Sequence, residues 1–281
     1  MKFSFLTYQF ARYPLEYCFK MAKQYGFEGV EIWGARPHAY APDMDKEHIE
    51  KVLEWKDSYG VEVSMYTPEI LAYPYNIVSA DERERRETLE YLKRSLEVAS
   101  AVGTDKMQIT IKHPGYGRSR REVWKLMTEG LKELCEKAEK EKVDIILESL
   151  SPSEGNVITC VDDIKEVQEG VGSGRLCTMI DMVPPFIANE PYSEYFDKLG
   201  DTMEYIHICN SDGKTEFHMQ LEDPEGVIPL FDFFRVIKRC GYDGWCSIEL
   251  LAPYFRDPEL YLSESARTIE KIRACVNNAA F

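Results

Sequence analysis

Four residues able to hold a divalent cation stand at the ends of four short apolar runs in the second half of the chain. Residues 143–147 lead to Glu148, residues 176–180 to Asp181, residues 205–206 to His207, and residues 245–248 to Glu249. Runs of this length between polar or Gly/Pro punctuation read as strands buried on both faces, as in a parallel sheet. Each interval leaves room for a crossover helix, so the four tips should fall at the same end of neighbouring strands. Three carboxylates and one imidazole form an oxygen-rich set that suits Mn²⁺, with Co²⁺ or Mg²⁺ as alternatives, better than a thiolate-loving ion. A dication held there is a Lewis acid. It lowers the cost of taking a proton from carbon beside a ketone by stabilising the enediolate charge. Glu148 and Glu249 are expected to bracket the substrate as acid and base, with Asp181 and His207 mainly as ligands.

Taken singly, each tip has an ordinary explanation: a strand-end acid commonly caps the next helix, and a lone His is commonly a hydrogen-bonded core residue. Four in consecutive units argue for a site. Weaker candidates for substrate contact follow. His113, after the fourth apolar run, could orient a hydroxyl or act as an alternative base, or simply pack its loop. His218 is a candidate second contact. His38 is expected to shape the pocket beside Trp33, and His48, in a polar helix, to face solvent. Trp33, Tyr66 and Tyr75 could wall a sugar ring, with plain barrel packing the competing explanation, favoured for Tyr66.

The elements that must position these residues alternate along the whole chain. Strands are expected near residues 3–7, 30–33, 61–66 and 106–111, and then at the four runs above. Asp45 caps a helix that Gly60 ends. Asp81 opens what reads as the longest helix, whose charged first turns are taken as a solvated face rather than a docking surface. Ser119 caps another helix to about Glu141, and residues 260–276 close the chain as a helix. Eight strand–helix alternations without linker or composition shift predict an α/β fold, a single (β/α)₈ TIM barrel spanning residues 1–281. An open doubly wound sheet usually has fewer strands, and no G-x-G-x-x-G follows a strand; Gly170-Val171-Gly172-Ser173-Gly174 follows a helix.

Composition narrows the partners. The 281 residues are 44% hydrophobic and 30% charged, with a net charge of −15, which disfavours a nucleic-acid backbone. The eight cysteines show no C-x-x-C spacing, which fits a reducing compartment. The N-terminal residues do not read as a signal peptide and no window reads as a membrane span, so a cytoplasmic protein is expected.

The order and spacing of Glu148, Asp181, His207 and Glu249 resemble the xylose-isomerase-like (sugar phosphate isomerase/epimerase) superfamily over nearly the whole chain. Residues 31–43, 66–69, 73–76 and 195–201, together with Ser211-Asp212-Gly213 and His218, resemble the fructoselysine-type ketose 3-epimerases within it. The resemblance implies one divalent ion at the four tips, Glu148 and Glu249 as acid and base, a small sugar or sugar conjugate as substrate, and a homo-oligomer. Two departures bear on the substrate: Asn210 stands where those proteins carry an acid, and residues 219–224 form a slightly longer segment. An alternative is the larger subunit of a metal-dependent C-glycoside-deglycosylating lyase acting on 3-oxo sugars, with His113 as base and a small partner subunit. A DNA-repair enzyme of the endonuclease IV type is disfavoured by charge. A non-catalytic barrel is disfavoured because no ligand residue is missing.

Overall fold

The computed structural model describes residues 1–251 and 254–278. Eight parallel strands form the sheet: β1 (Lys2–Phe5), β2 (Gly29–Gly34), β3 (Glu62–Pro68), β4 (Lys106–Thr110), β5 (Asp144–Glu148), β6 (Leu176–Asp181), β7 (Met203–Ile208) and β8 (Trp245–Ile248). They run in the order β1-β8-β7-β6-β5-β4-β3-β2. A parallel bridge between Leu6 and Glu31 brings the β1 and β2 edges together, so the sheet closes on itself as a (β/α)₈ barrel.

The helices are α1 (Leu15–Tyr25), α2 (Lys46–Tyr59), α3 (Glu82–Ala101), α4 (Arg120–Glu141), α5 (Val161–Val171), α6 (Val183–Ile187), α7 (Ser193–Leu199), α8 (Leu230–Arg239) and α9 (Pro258–Asn278). Their ends follow local chemistry. Asp45 accepts the His48 N–H at the start of α2, and Gly60 ends it in the left-handed region at φ 63°. Ser119 and Glu122 form a reciprocal capping box at α4. Two expectations need correction. The helix after Asp81 has 20 residues and is shorter than α4, with 22, because Ala101 gives way to the turn at Gly103. The crossover from β6 to β7 holds two short helices, α6 and α7, rather than one, since Asn189 at φ 57° and Pro191 interrupt it.

The main core lies between barrel and helices, with Phe3, Phe5, Leu92, Leu131, Ile164, Phe234 and Leu262 among its buried side chains. A smaller cluster of Met65, Ile146, Cys177, Met179 and Tyr205 fills the barrel itself. Side chains alternate along a strand, so residues two apart share a face. Ile146, Met179 and Tyr205 plug the interior, and therefore Glu148, Asp181 and His207 project into the same interior one layer nearer the carboxyl ends. Register agrees: Asp181 lies opposite His207, and His207 opposite Ser247, two residues before Glu249. No helix among the described residues is long and apolar enough to cross a membrane.

Candidate active site

The four strand-end residues meet. Ligand-capable atoms of Glu148, Asp181, His207 and Glu249 all lie within 4.8 Å of one another. From His207 Nδ1, Glu249 Oε2 is 2.9 Å away, Glu148 Oε1 3.4 Å and Asp181 Oδ2 3.9 Å. His207 is fully buried, Glu148 and Asp181 nearly so.

In three of the four residues, Glu148, Asp181 and His207, a second polar atom is held by the protein. Gln108 donates its amide to Glu148 Oε2, and the Val183 N–H donates to Asp181 Oδ1 at 2.7 Å. His207 Nε2 lies 3.0 Å from both oxygens of Glu31. Glu31 is itself completely buried and accepts from Thr67 Oγ1 at 2.5 Å and the Tyr205 hydroxyl at 3.1 Å. That partner engages Nε2 and leaves Nδ1 as the imidazole nitrogen facing the ring. His207 Nδ1 and Glu249 Oε2 are buried without a hydrogen-bond partner. Converging carboxylates and an orphaned imidazole nitrogen fit a divalent cation, which would replace the water these groups have lost.

Electrostatics describe the same strain. Burial pushes the Glu148 and Asp181 carboxyls up, Asp181 well above its ordinary range, with the Glu249 charge adding to both. For Glu249 burial also acts upward, but the His207 and His218 imidazoles outweigh it and hold the group well below the usual carboxylate range. Burial alone would lower both histidines. Glu31 and Glu249 instead raise His207 well above its usual value, and Asp181 and Glu249 push His218 up to about 10.

His218 comes to the ring from the loop after β7, with Nδ1 3.1 Å from Glu249 Oε2 and Nε2 3.4 Å from Asp181 Oδ2. Above the ring opens a cavity of about 210 Å³, lined by Trp33, Tyr8 and His218 among others. Trp33 packs on Tyr8 at 4.7 Å between ring centroids and donates Nε1–H to Glu69 at 2.9 Å.

The other expected contacts lie off this wall. His38 is buried beside Trp33, its ring fixed by Thr7 Oγ1 and the carbonyls of Phe10 and Tyr13; it braces the loop rather than facing the cavity. Tyr75 stacks on Tyr91 at 3.9 Å and shares a hydrogen bond with the Tyr40 hydroxyl. Tyr66 is buried and donates to the Ala39 carbonyl. His113 accepts the Gly115 N–H on Nδ1 and packs on exposed Tyr116. His48 faces solvent.

Sequence reasoning missed Glu31, Gln108, Tyr8, Glu69, Glu154 and Glu216. Glu31 and Gln108 carried a usable signal, a polar residue inside a buried apolar strand. The two loop glutamates carried none. Burial, together with the charges of Glu216 and Glu148, pushes Glu154 up to about 7. At the opposite end of the barrel Asp144, Cys177 and Glu204 also cluster, but Arg175 binds Asp144 at 2.9 Å and Lys106 binds Glu204 at 2.5 Å, so these acids already have cations.

This geometry agrees with the comparisons. A model of the xylose isomerase-like TIM barrel family matches residues 19–272. The chain is 38% identical to fructoselysine 3-epimerase of Escherichia coli O157:H7 over 274 residues, 98% of each chain. It is 25% identical to a probable ketose 3-epimerase of Synechocystis over 250 residues, 87% of this chain and 80% of that one. Among solved structures, a D-tagatose 3-epimerase-like protein superposes with a TM-score of 0.84 at 20% identity, covering 99% of this chain and 98% of its own. The 3-keto-D-glucoside 4-epimerase of E. coli superposes at 0.81 and 18%, covering 98% and 100%. By family model and by a full-length relative of this identity, the chain belongs to the xylose isomerase-like TIM barrel family.

Proposed function

We propose that the chain is a divalent-metal-dependent ketose 3-epimerase of the fructoselysine type. The observation that carries the reading is the inward convergence of one oxygen from each of Glu148, Asp181 and Glu249 on the unpartnered Nδ1 of His207. The full-length likeness to fructoselysine 3-epimerase supports the substrate class.

Glu148, Asp181, His207 and Glu249 would hold the ion, Mn²⁺ by preference and Co²⁺ or Mg²⁺ as alternatives, since the set is oxygen-rich with one nitrogen. When bound, the dication supplies Lewis-acid polarisation of the ketone and offsets the charge that develops on oxygen during proton removal. Glu148 on β5 and Glu249 just past β8 flank Asp181 and His207 in the strand order, which supports assigning them to opposite faces of a sugar bound in the cavity. One glutamate takes the proton from carbon 3 and the other returns a proton to the opposite face; the reverse reaction exchanges their roles. Gln108 orients Glu148, His218 is placed to orient a substrate hydroxyl, and Trp33 with Tyr8 covers the apolar face of the sugar. The lyase alternative lacks its proposed base, because His113 is not among the cavity's lining residues. A cytoplasmic location fits the eight unpaired cysteines. Homo-oligomerisation is part of the same proposal and is read by sedimentation.

The test is deuterium wash-in from D₂O over a ketose panel, with and without chelator. Metal-dependent exchange at carbon 3 that disappears in Glu148→Gln or Glu249→Gln supports epimerisation. Exchange that survives both substitutions removes the glutamates from the mechanism.

A further inference from the structure

Asn210 and the segment 219–224, the two places where the sequence departs from the epimerases it resembles, meet in the fold. Asn210 stands just past the end of β7 and is 5% exposed. Its backbone pairs with Met219 in an antiparallel bridge, with bonds of 2.8 Å in both directions. Its side chain makes three more. Oδ1 accepts the N–H of Ser211 and the N–H of Ile228, each at 2.9 Å, and Nδ2 donates to the Leu221 carbonyl at 2.9 Å. One amide thus fastens the loop after β7 where it leaves the barrel, where it returns and where it approaches α8. Gly226 makes room for it, since a Cβ there would collide with the Asn210 amide.

A side chain of this length must carry both an acceptor and a donor to complete the set. Aspartate would accept the two N–H groups but set a second acceptor against the Leu221 carbonyl. An apolar side chain would leave all three main-chain groups unpaired in a buried place. The two departures are therefore one device: the longer segment brings a carbonyl to position 210, and the residue there has to donate. Neither Asn210 nor Leu221 lines the cavity, so this device does not touch the sugar. His218 lies directly before the fastened stretch. Its imidazole stands 3.1 Å from Glu249 and 3.4 Å from Asp181, while the Leu251 N–H reaches its carbonyl at a long 3.4 Å. Its placement depends on residues 219–221, held to residue 210 by backbone at Met219 and by side chain at Leu221.

We infer that Asn210 is a positioning residue of this site: through residues 219–221 it holds His218 against Glu249 and Asp181, without itself touching the four strand-end residues or the cavity. The inference rests on the epimerase reading only for its kinetic consequence, in which His218 orients a substrate hydroxyl. Its structural content, that the amide of residue 210 sets the place of a distant imidazole, stands apart from the reaction. His207, three residues earlier, is fixed by its own strand and by Glu31, so metal binding should not need the amide.

The test treats the full-length protein, with Mn²⁺ added, with diethyl pyrocarbonate and reads modification of each histidine by peptide mass. In the wild type His218 should be protected while exposed His48 reacts. Asn210→Asp should speed modification of His218 about tenfold and leave His48 and Mn²⁺ content unchanged, as expected when a buried carbonyl loses its donor and the segment opens locally. Gly226→Ala, which presses on the same amide, should act in the same direction. With fructoselysine as substrate, Asn210→Asp should raise KM about tenfold with a smaller effect on kcat. Added to His218→Ala it should change nothing further, because the two residues act in series. An unchanged His218 rate in folded Asn210→Asp overturns the inference. So do additive kinetic effects in the double variant, and so does loss of the fold in both Asn210→Asp and Gly226→Ala, which would assign the amide to the barrel as a whole. If the wild type does not turn over fructoselysine, the epimerase reading fails and the modification rates still decide the inference.

Discussion

Both carboxylate oxygens of Glu31 lie 3.0 Å from Nε2 of His207, although the two residues sit on β2 and β7, across the barrel from one another. The pair is completely buried, and its effect is to turn Nδ1 toward the carboxylates of Glu148, Asp181 and Glu249. Glu31→Ala is expected to weaken divalent-metal affinity by about 10- to 100-fold, the usual cost of losing an outer partner of a ligating histidine. Competition with a chelating dye measures it. Wild-type affinity in a folded variant would mean that β7 alone orients the ring.

Metal-free protein should lose stability as pH rises through neutrality. The carboxyls of Glu148 and Asp181 are raised in the fold, so their ionisation above the ordinary carboxylate range works against the folded state. The raised imidazoles of His207 and His218 act in the same direction. Their contribution is complete below 6.5 and is lost as pH climbs toward the His218 value of about 10. Glu249 opposes this only in strong acid, where its lowered group protonates. The thermal midpoint of apoprotein should therefore fall between about pH 6 and pH 9, while added Mn²⁺ stabilises more at the upper end because binding displaces protons. An apoprotein midpoint that rises over this interval contradicts the assignment.

Asp181→Ala and His207→Ala should remove most bound metal while leaving the barrel folded, since the interior cluster of Met65, Ile146, Met179 and Tyr205 lies one layer below. Metal analysis and circular dichroism check the two halves of that statement. Full metal occupancy in either variant would disprove its ligand role.

Trp33→Ala should raise KM roughly tenfold with a smaller effect on kcat, because the indole lines the cavity and carries neither the acid nor the base. A fall confined to kcat would place the indole at the reacting carbon instead.

Gly34→Ala should destabilise the fold by about 1–3 kcal/mol through overpacking. A Cβ there would stand 2.7 Å from the Tyr66 ring and hydroxyl and 2.9 Å from Pro68 Cα, with no flexible side-chain end to yield. Urea unfolding is the measurement, and a change below about 0.5 kcal/mol would show that β2 and β3 separate easily.

The amino-acid order alone was enough to place eight strands, the helix starts at Asp45, Asp81 and Ser119, and the inward-facing residues Glu148, Asp181, His207 and Glu249. All of these follow from local rules: a buried strand is an apolar run, a cap is a polar side chain beside free N–H groups, and alternation carries one known inward side chain to the next. Tertiary structure decided that Glu31 belongs to His207, that His38, Tyr75 and His113 are fastened elsewhere, and that Glu154 and Glu216 share the cavity with Trp33 and His218. Those relations join residues from different strands or irregular loops. They depend on barrel closure and loop path, and no periodicity along the chain records which distant backbone a side chain will meet.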